Sequence, residues 1–496
     1  MMARQTILFA LASTFLACSA TQPPAPAPAP DAATPPATGE PDSAGPSTEA
    51  PEPEPDRSKE IALELVEEGR AIQTQRGEGG AHDAIDVYLR ALEQDAECGA
   101  ALWELGWSYQ VLGRLDDAVA AWDKLKALDP DFPELQTYYP VLIMRRDHAA
   151  AIASLPDPGK LPPPEETPRD GPTITISAVG DVHMGRAWPE SRSRLPPNDA
   201  KEMFTAVADT LKDADITFGN LETVLKDDGP STKCGPRSTK CFSFRVPTSF
   251  AGALKEAGFD VMSIANNHAG DFGPEGRQTT METLDSIGIL HSGPIGDIAS
   301  WETKGLKMAM VAFSTGSNVY RLQETEAARK VVADLARKHD LVIVSFHGGA
   351  EGAAAAHVPK AHEKFYGESR GDVYRFAHSM IDTGADLVIG HGPHRLRGME
   401  IYKGRFIAYS LGNFSTWKTF SLSGALGIST VLKVKLAPNG VVLEAKVNPV
   451  IIRDPGLPHP DPKDQAIKTV RDLSRQDFGN PVIDKNGSYQ RPKPAS

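Results

Sequence analysis

The stretch Asp260-Val261-Met262-Ser263-Ile264-Ala265-Asn266-Asn267-His268-Ala269-Gly270-Asp271-Phe272-Gly273 changes character half-way along. An apolar run suited to a short buried strand stops in two carboxamides, an imidazole and, three residues later, a carboxylate. Loops at the carboxyl ends of strands in α/β sheets share one rim, and ligands bind there. Other parts of the chain repeat the pattern. TITISAVG (173–180) leads to Asp181-Val182-His183, and ADITFG (214–219) to Asn220-Leu221-Glu222. DLVIVSF (340–346) leads to His347, and ADLVIG (385–390) to His391-Gly392-Pro393-His394. With KMAMVAF (307–313), these runs alternate with amphipathic stretches, which predicts a layered α/β domain with mostly buried strands. GMEIYKGRFIAYSLGNF (398–414) and GISTVLKVKLAPNGVVLEAKVNPVII (427–452) read as hairpins turning at KG and PNG. They point to a second, partly antiparallel sheet.

Taken singly, each polar residue has a plain structural reading. A His after a strand is commonly a hydrogen-bonded loop residue, Asp181 suits a turn or cap, and Asn266 suits a left-handed turn. Five strand ends carrying such groups on one edge point instead to a shared site. His, Asp, Glu and Asn donors with no cysteine among them suit a borderline-to-hard divalent cation such as Zn, Mn or Fe.

The wider chain sets the context. Its 496 residues imply about two to three domains at roughly 100–200 residues each. A formal net charge of −13 argues against nucleic acid as a partner, because that needs a basic face. The opening MMARQTILFALASTFLACSA has a short Arg-bearing head, an apolar run and small residues before Cys18, the layout of an export signal. Lipidation of Cys18 would make residues 1–18 a lipoprotein-type signal and the protein membrane-anchored in the cell envelope. An ordinary signal cut elsewhere, or an uncleaved anchor, is the other reading. Residues 19–55 are rich in Pro and Ala, cannot bury a core, and read as a disordered tether. Export makes a disulfide between Cys234 and Cys241, across GPRSTK, the expected pairing; a zinc pair is the rival.

In residues 56–154, Ala84, Tyr88, Ala91 and Ala96 recur 34 positions on as Ala118, Trp122, Leu125 and Pro130. This resembles the tetratricopeptide repeat, an all-α module of paired helices that serves either as a docking surface or as a packing appendage. A Pro-rich linker (155–171) follows. The tail (453–496) is expected to add one helix, over DQAIKTVRDLSRQDFG, and then to end loosely at NGSYQRPKPAS.

Seven motifs in order, GDVHMGR (180–186), GNLETVL (219–225), FRVP (244–247), ANNHAGDFG (265–273), FHGGAE (346–351), GHGPH (390–394) and AYSLGNF (408–414), carry a resemblance over residues 172–452. They resemble the calcineurin-like metallophosphoesterases and, more closely, the CapA-type poly-γ-glutamate capsule synthesis family. The resemblance implies a four-layer αββα sandwich and two divalent metal ions. Asp181, His183, Glu222 and His394 would hold one ion. Asn267, His347, His391 and a bridging Glu222 would hold the other. It further implies His268 as the acid, oriented by Asp271, and Arg186 and Arg245 as groups for an anionic substrate. Three features depart from the broader phosphoesterases: Glu222 replaces an Asp, Asp271 comes two residues late, and one extra residue separates His391 from His394. Two functions from different classes follow. One is a metal-dependent hydrolase of a phosphoester or γ-glutamyl-type bond in surface-polymer synthesis. The other is a non-catalytic assembly or export subunit whose repeats recruit the synthesis or export proteins.

Overall fold

The computed structural model describes residues 57–160, 162–231, 233–234, 241–316 and 318–492. Cys18, the expected signal and the tether lie outside them. The chain divides into two compact units between Arg146 and Asp147. Among the described residues, no helix is long and apolar enough to cross a membrane.

The first unit is helical: α1 (Ser58–Arg76), α2 (Ala81–Gln94), α3 (Gly99–Val111), α4 (Leu115–Leu128) and α5 (Pro133–Ser154), with the unit boundary falling inside α5. The residues at the 34-position repeat do the same job twice. Gly69 faces the ring of Tyr88, and Gly106 faces Trp122; a Cβ on Gly106 would stand 1.8 Å from the Trp122 indole nitrogen. Glycine therefore lets each helix pair close over an aromatic side chain that is fully buried. Trp122 also stacks on Trp103 at 4.8 Å and donates its Nε1–H to the Trp103 carbonyl at 3.1 Å. Cys98 is buried in this unit.

Among the described residues, the second unit holds twenty strands. The first ten are β1 (Ile174–His183), β2 (Ile216–Leu221), β3 (Val224–Leu225), β4 (Arg245–Val246), β5 (Val261–Ser263), β6 (Leu290–Ser292), β7 (Ala299–Thr303), β8 (Leu306–Ser314), β9 (Tyr320–Arg321) and β10 (Leu341–His347). Then come β11 (Glu363–Phe365), β12 (Glu368–Gly371), β13 (Leu387–His391), β14 (Met399–Tyr402), β15 (Arg405–Ala408), β16 (Asn413–Thr416), β17 (Ile428–Leu436), β18 (Val442–Arg453), β19 (Leu457–Pro460) and β20 (Ser488–Gln490). A nine-stranded sheet runs β19-β18-β17-β1-β2-β5-β6, with β16 beside β1 and β20 beside β18. A seven-stranded sheet runs β14-β15-β13-β10-β8-β7, with β9 beside β8.

The helices of this unit are α6 (Ala208–Lys212), α7 (Ala251–Ala257), α8 (Gly273–Ser286), α9 (Thr325–Lys338), α10 (Val373–Asp382) and α11 (Gln465–Phe478). Alternate residues of both sheets, among them Ile174, Ile176 and Phe218 on one and Met308, Ile343 and Ile389 on the other, form one core between the sheets. The outer face of the nine-stranded sheet packs through Val179, Leu221 and Met262 on Leu254 of α7 and Leu284 of α8. The outer face of the seven-stranded sheet packs through Val311, Val344 and Val388 on Val332 of α9 and Phe376 of α10. The strands of the six apolar runs thus bury both faces, which is why those runs read as continuously apolar. The result is the four-layer αββα sandwich.

Two expectations are corrected. The two late hairpins do not build one sheet of their own: β14–β15 extends the seven-stranded sheet and β17–β18 extends the nine-stranded one. The sheets are instead separated along the sequence by the six apolar runs, three to each. The end of the chain is also less loose than its composition implies, because Ser488–Gln490 pairs with Glu444–Lys446 of β18.

Candidate metal centre

Pairing brings the expected strand ends together. Asp181 on β1 lies opposite Asn220 on β2 and Asn413 on β16, with register shifts at Asp181 in both pairings. His347 on β10 lies opposite His391 on β13. The shift on β1 depends on Gly180, where a Cβ would stand 1.9 Å from the Gly412 carbonyl oxygen. The Asp181 amide donates to that same oxygen at 2.9 Å.

Glu222 sits at the middle of the cluster, wholly buried. Its Oε2 lies 3.5 Å from His183 Nε2 and 3.8 Å from His394 Nδ1, while Oε1 lies 3.6 Å from His347 Nε2. One oxygen thus faces each of the two expected ligand sets. Among the described residues, neither oxygen has a hydrogen-bond partner, nor do both nitrogens of His183, His347 Nε2, His391 Nδ1 and Asn267 Oδ1. Buried polar atoms are almost always paired, so a convergent group of orphans calls for a partner. Their spacing is too wide for good hydrogen bonds. It is close to the roughly 3–3.5 Å between donor atoms that share a cation at about 2.0–2.2 Å. Asp181, Glu222 and His394 each place a donor atom within 4.8 Å of the others. An oxygen and imidazole donor set of this kind fits a divalent cation.

The surrounding carboxamides aim the ligands. Asn220 Nδ2 donates to Asp181 Oδ1 at 2.9 Å and lies 3.3 Å from His347 Nδ1, which leaves His347 Nε2 toward Glu222. His391 Nε2 donates to the Val179 carbonyl at 3.1 Å, leaving Nδ1 bare. Outer partners of this sort fix ligand orientation and tautomer. His394 takes a left-handed backbone, φ 57°, and its Nδ1 lies 3.0 Å from Asp181 Oδ2 and 3.1 Å from Asn413 Oδ1. Asn413 and Asn220, to which sequence reasoning gave no role, are therefore parts of the centre. Asn266 is another: its Nδ2 donates to Asn220 Oδ1 at 3.2 Å and to the Leu221 carbonyl at 3.0 Å. Glu351 stands 4.0 Å from His394 Nε2 and pairs with the buried Arg370.

The buried ligand groups also perturb one another electrostatically. Burial pushes Glu222 upward, against the pull of His394. Burial, reinforced by the His394 charge, drives His183 down to about 3. For His394 burial acts downward, but Glu222 and Asp181 prevail and raise it. Ligation needs ionised carboxylates and neutral imidazoles, so a bound cation would keep His183 neutral and lower both Glu222 and His394.

His268 and Asp271 lie alongside, their Nδ1 and Oδ2 2.8 Å apart and both side chains buried. The His268 and His183 rings are 6.0 Å apart. Phe244 packs edge-on against both, and Phe420 packs against His183 at 4.4 Å, so an aromatic wall closes one side. The two arginines are differently placed. Arg245 Nη1 donates to the Lys226 carbonyl at 3.3 Å and also to that of Asp227. These two bonds tie the Arg245 guanidinium to the chain just after β3. Arg186 is half-buried and pairs through its backbone with Arg194; burial, and then the charges of Arg194 and Arg192, lower it. Cys234 and Cys241 are joined as a disulfide.

Residues 175–416 match the family described as Bacterial capsule synthesis protein PGA_cap. These residues belong to that CapA-type family. The protein y4uA of Sinorhizobium fredii (strain NBRC 101917 / NGR234) is 31% identical over 312 residues, 49% of this chain and 66% of its own length. The capsule biosynthesis protein CapA of Bacillus anthracis is 27% identical over 267 residues, 50% of this chain and 60% of its own length. The chain thus spans somewhat under two thirds of the length of these relatives. Among solved structures, a purple acid phosphatase isolated from yellow lupin (Lupinus luteus) seeds aligns at 10% identity and a TM-score of 0.30, over 66% of this chain and 58% of that one.

Proposed function

We propose that the second unit is a divalent-metal-dependent hydrolase acting in the synthesis of a capsule or poly-γ-glutamate-type surface polymer. The observation that carries this reading is Glu222, buried, with one unpartnered oxygen toward His183 and His394 and the other toward His347. Asp181, His183, Glu222 and His394 would hold one ion, and Asn267, His347, His391 and Glu222 a second. When bound, such a pair supplies charge that polarises the scissile group and activates water at neutral pH.

The chain's own residues do the rest. With Asp271 accepting from Nδ1–H, the His268 ring is fixed, and its doubly protonated form would give the Nε2 proton to the leaving group and remain as the neutral Nδ1–H tautomer. Phe244 and Phe420 exclude water from the face of His183, which strengthens electrostatic interactions inside. Asn220, Asn266 and Asn413 keep the ligands aimed. The scissile bond would be a phosphoester or a γ-glutamyl-type amide. Purified full-length protein with added Mn²⁺ is tested on bis(p-nitrophenyl) phosphate and on a γ-glutamyl oligomer. Turnover lost in Asp181→Ala and in His268→Ala supports the reading; a folded, metal-loaded and inert protein refutes it.

A second reading, a non-catalytic assembly subunit, is favoured by names among the relatives, such as the probable polyglutamine synthesis accessory protein of Mycobacterium tuberculosis. Under either reading the tetratricopeptide-like helices would recruit synthesis or export proteins, and a lipid on Cys18 would hold the chain at a membrane. Pull-downs with and without residues 56–154, and mass spectrometry of the mature N-terminus, test those two points.

A further inference from the structure

We propose that Lys233, held by the Cys234–Cys241 bond, is a positioning residue for His268; the proposal rests on the reading of His268 as proton donor. Asp271, with no exposed surface, receives His268 Nδ1, Lys233 Nζ and the Phe244 amide, each at 2.8 Å. The Lys233 ammonium also donates to the Asn267 carbonyl at 3.0 Å. One cation thereby ties the beginning of the turn that carries His268 to its end. Ser231 Oγ donates to the Asp271 carbonyl at 2.8 Å and accepts from the Lys233 and Cys234 amides at 3.2 and 3.1 Å.

These donors come from two short segments, 231–234 and 241–244, and the disulfide joins them with its Cα atoms 5.7 Å apart. That join matters because lysine is long and flexible. Its side chain is 37% exposed whereas Asp271 is fully buried, so the ammonium must be held in place from outside. Tethering its backbone reduces the conformational freedom lost in doing so. Without Lys233, Asp271 keeps two of its three donors and gains freedom to rotate, and His268 turns with it.

The bond is chemically reversible. A dithiol such as dithiothreitol gives two electrons and two protons to the S–S bond; two cysteine thiols form and the reductant closes into its own disulfide. Reduction and loss of the ammonium should therefore act alike on His268.

The test uses the full chain with ¹⁵N-labelled histidine. The chain has 13 histidines, so the Nδ1–H signal of His268 is assigned by its absence in His268→Gln. Oxidised protein is compared with dithiothreitol-treated protein, Lys233→Met, Lys233→Arg and the Cys234→Ser/Cys241→Ser double variant. The Nδ1–H signal should exchange about tenfold faster on reduction, in Lys233→Met and in the double variant, with Lys233→Arg close to the parent. On bis(p-nitrophenyl) phosphate with Mn²⁺, kcat should fall about tenfold or more, the usual cost of an outer partner, while KM stays within about twofold. An unmoved signal in both reduced protein and Lys233→Met overturns the proposal, even if melting temperature falls, because the loop is then only a brace. A parent protein inert toward both the diester and a γ-glutamyl oligomer but with a responsive signal removes the hydrolase reading and retains the clamp. Turnover with an unmoved signal removes the clamp and retains the hydrolase.

Discussion

Replacing Glu222 by Gln tests whether the buried cluster is a metal centre. The side chain keeps its shape and loses its charge. Without metal the change should cost little, because burial already pushes the Glu222 carboxyl upward toward its neutral form. The melting temperature of the metal-free variant should therefore match or exceed the parent's. With metal the two proteins should diverge. A ligand at a hundred times its dissociation constant stabilises the fold by about 2.7 kcal/mol per site. The second unit has about 350 residues, and unfolding entropy of about 2.1 cal/mol/K per residue gives it about 0.7 kcal/mol/K in all. Each occupied site then raises the melting temperature by about 4 °C, and two sites by about 7 °C. Because one Glu222 oxygen faces each ligand set, Glu222→Gln should lose most of the rise at once. Calorimetry of chelator-treated protein titrated with Mn²⁺, Fe²⁺ or Zn²⁺ reads this directly. A variant that keeps the full rise refutes the bridging role, and a variant that melts low without metal shows that Glu222 is instead structural.

Three further outcomes follow from other parts of the fold. Gly180→Ala puts a Cβ against the Gly412 carbonyl at 1.9 Å; it should cost about 2–4 kcal/mol in urea denaturation and lower metal occupancy by displacing Asp181. Arg397 and Glu363 form a buried two-pronged pair at 2.9 and 2.7 Å, so Arg397→Met, which leaves the carboxylate with no counter-charge and only the Ala350 amide as donor among the described residues, should cost about 3–5 kcal/mol by the same assay. For His291 burial acts downward, but Asp297 and Asp285 prevail and raise it. A raised folded value means its stabilisation is complete below about pH 6.5 and fades as pH climbs through the raised value. The stability gap between the parent and His291→Gln should therefore be wider at pH 6 than at pH 8.5, and an equal gap would contradict the pairing.

Much of the fold was legible because buried parallel strands are written as unbroken apolar runs. Their polar endings pointed to the rim. The sequence does not show which run pairs with which, because pairing depends on contacts far apart along the chain; hence the two hairpins were assigned to one sheet when each extends a different one. Ligand types were legible as carboxylates and imidazoles with no other evident work. Their supports were not. Asn220, Asn266 and Asn413 are common turn residues, and only their mutual distances reveal a network. Nor does a sequence show the Lys226 and Asp227 carbonyls to which Arg245 Nη1 donates. Lys233 gave no local signal at all, since its partner Asp271 lies 38 residues away.

The most direct test of the central claim is a crystal structure of protein loaded with Mn²⁺ or Zn²⁺, with anomalous difference density measured at the metal edge. Two peaks about 3.5–4 Å apart, one toward His183 and His394 and the other toward His347 and His391, with Glu222 between them, are the predicted result. An ordered site with Glu222 in place and no peak at saturating metal would contradict it.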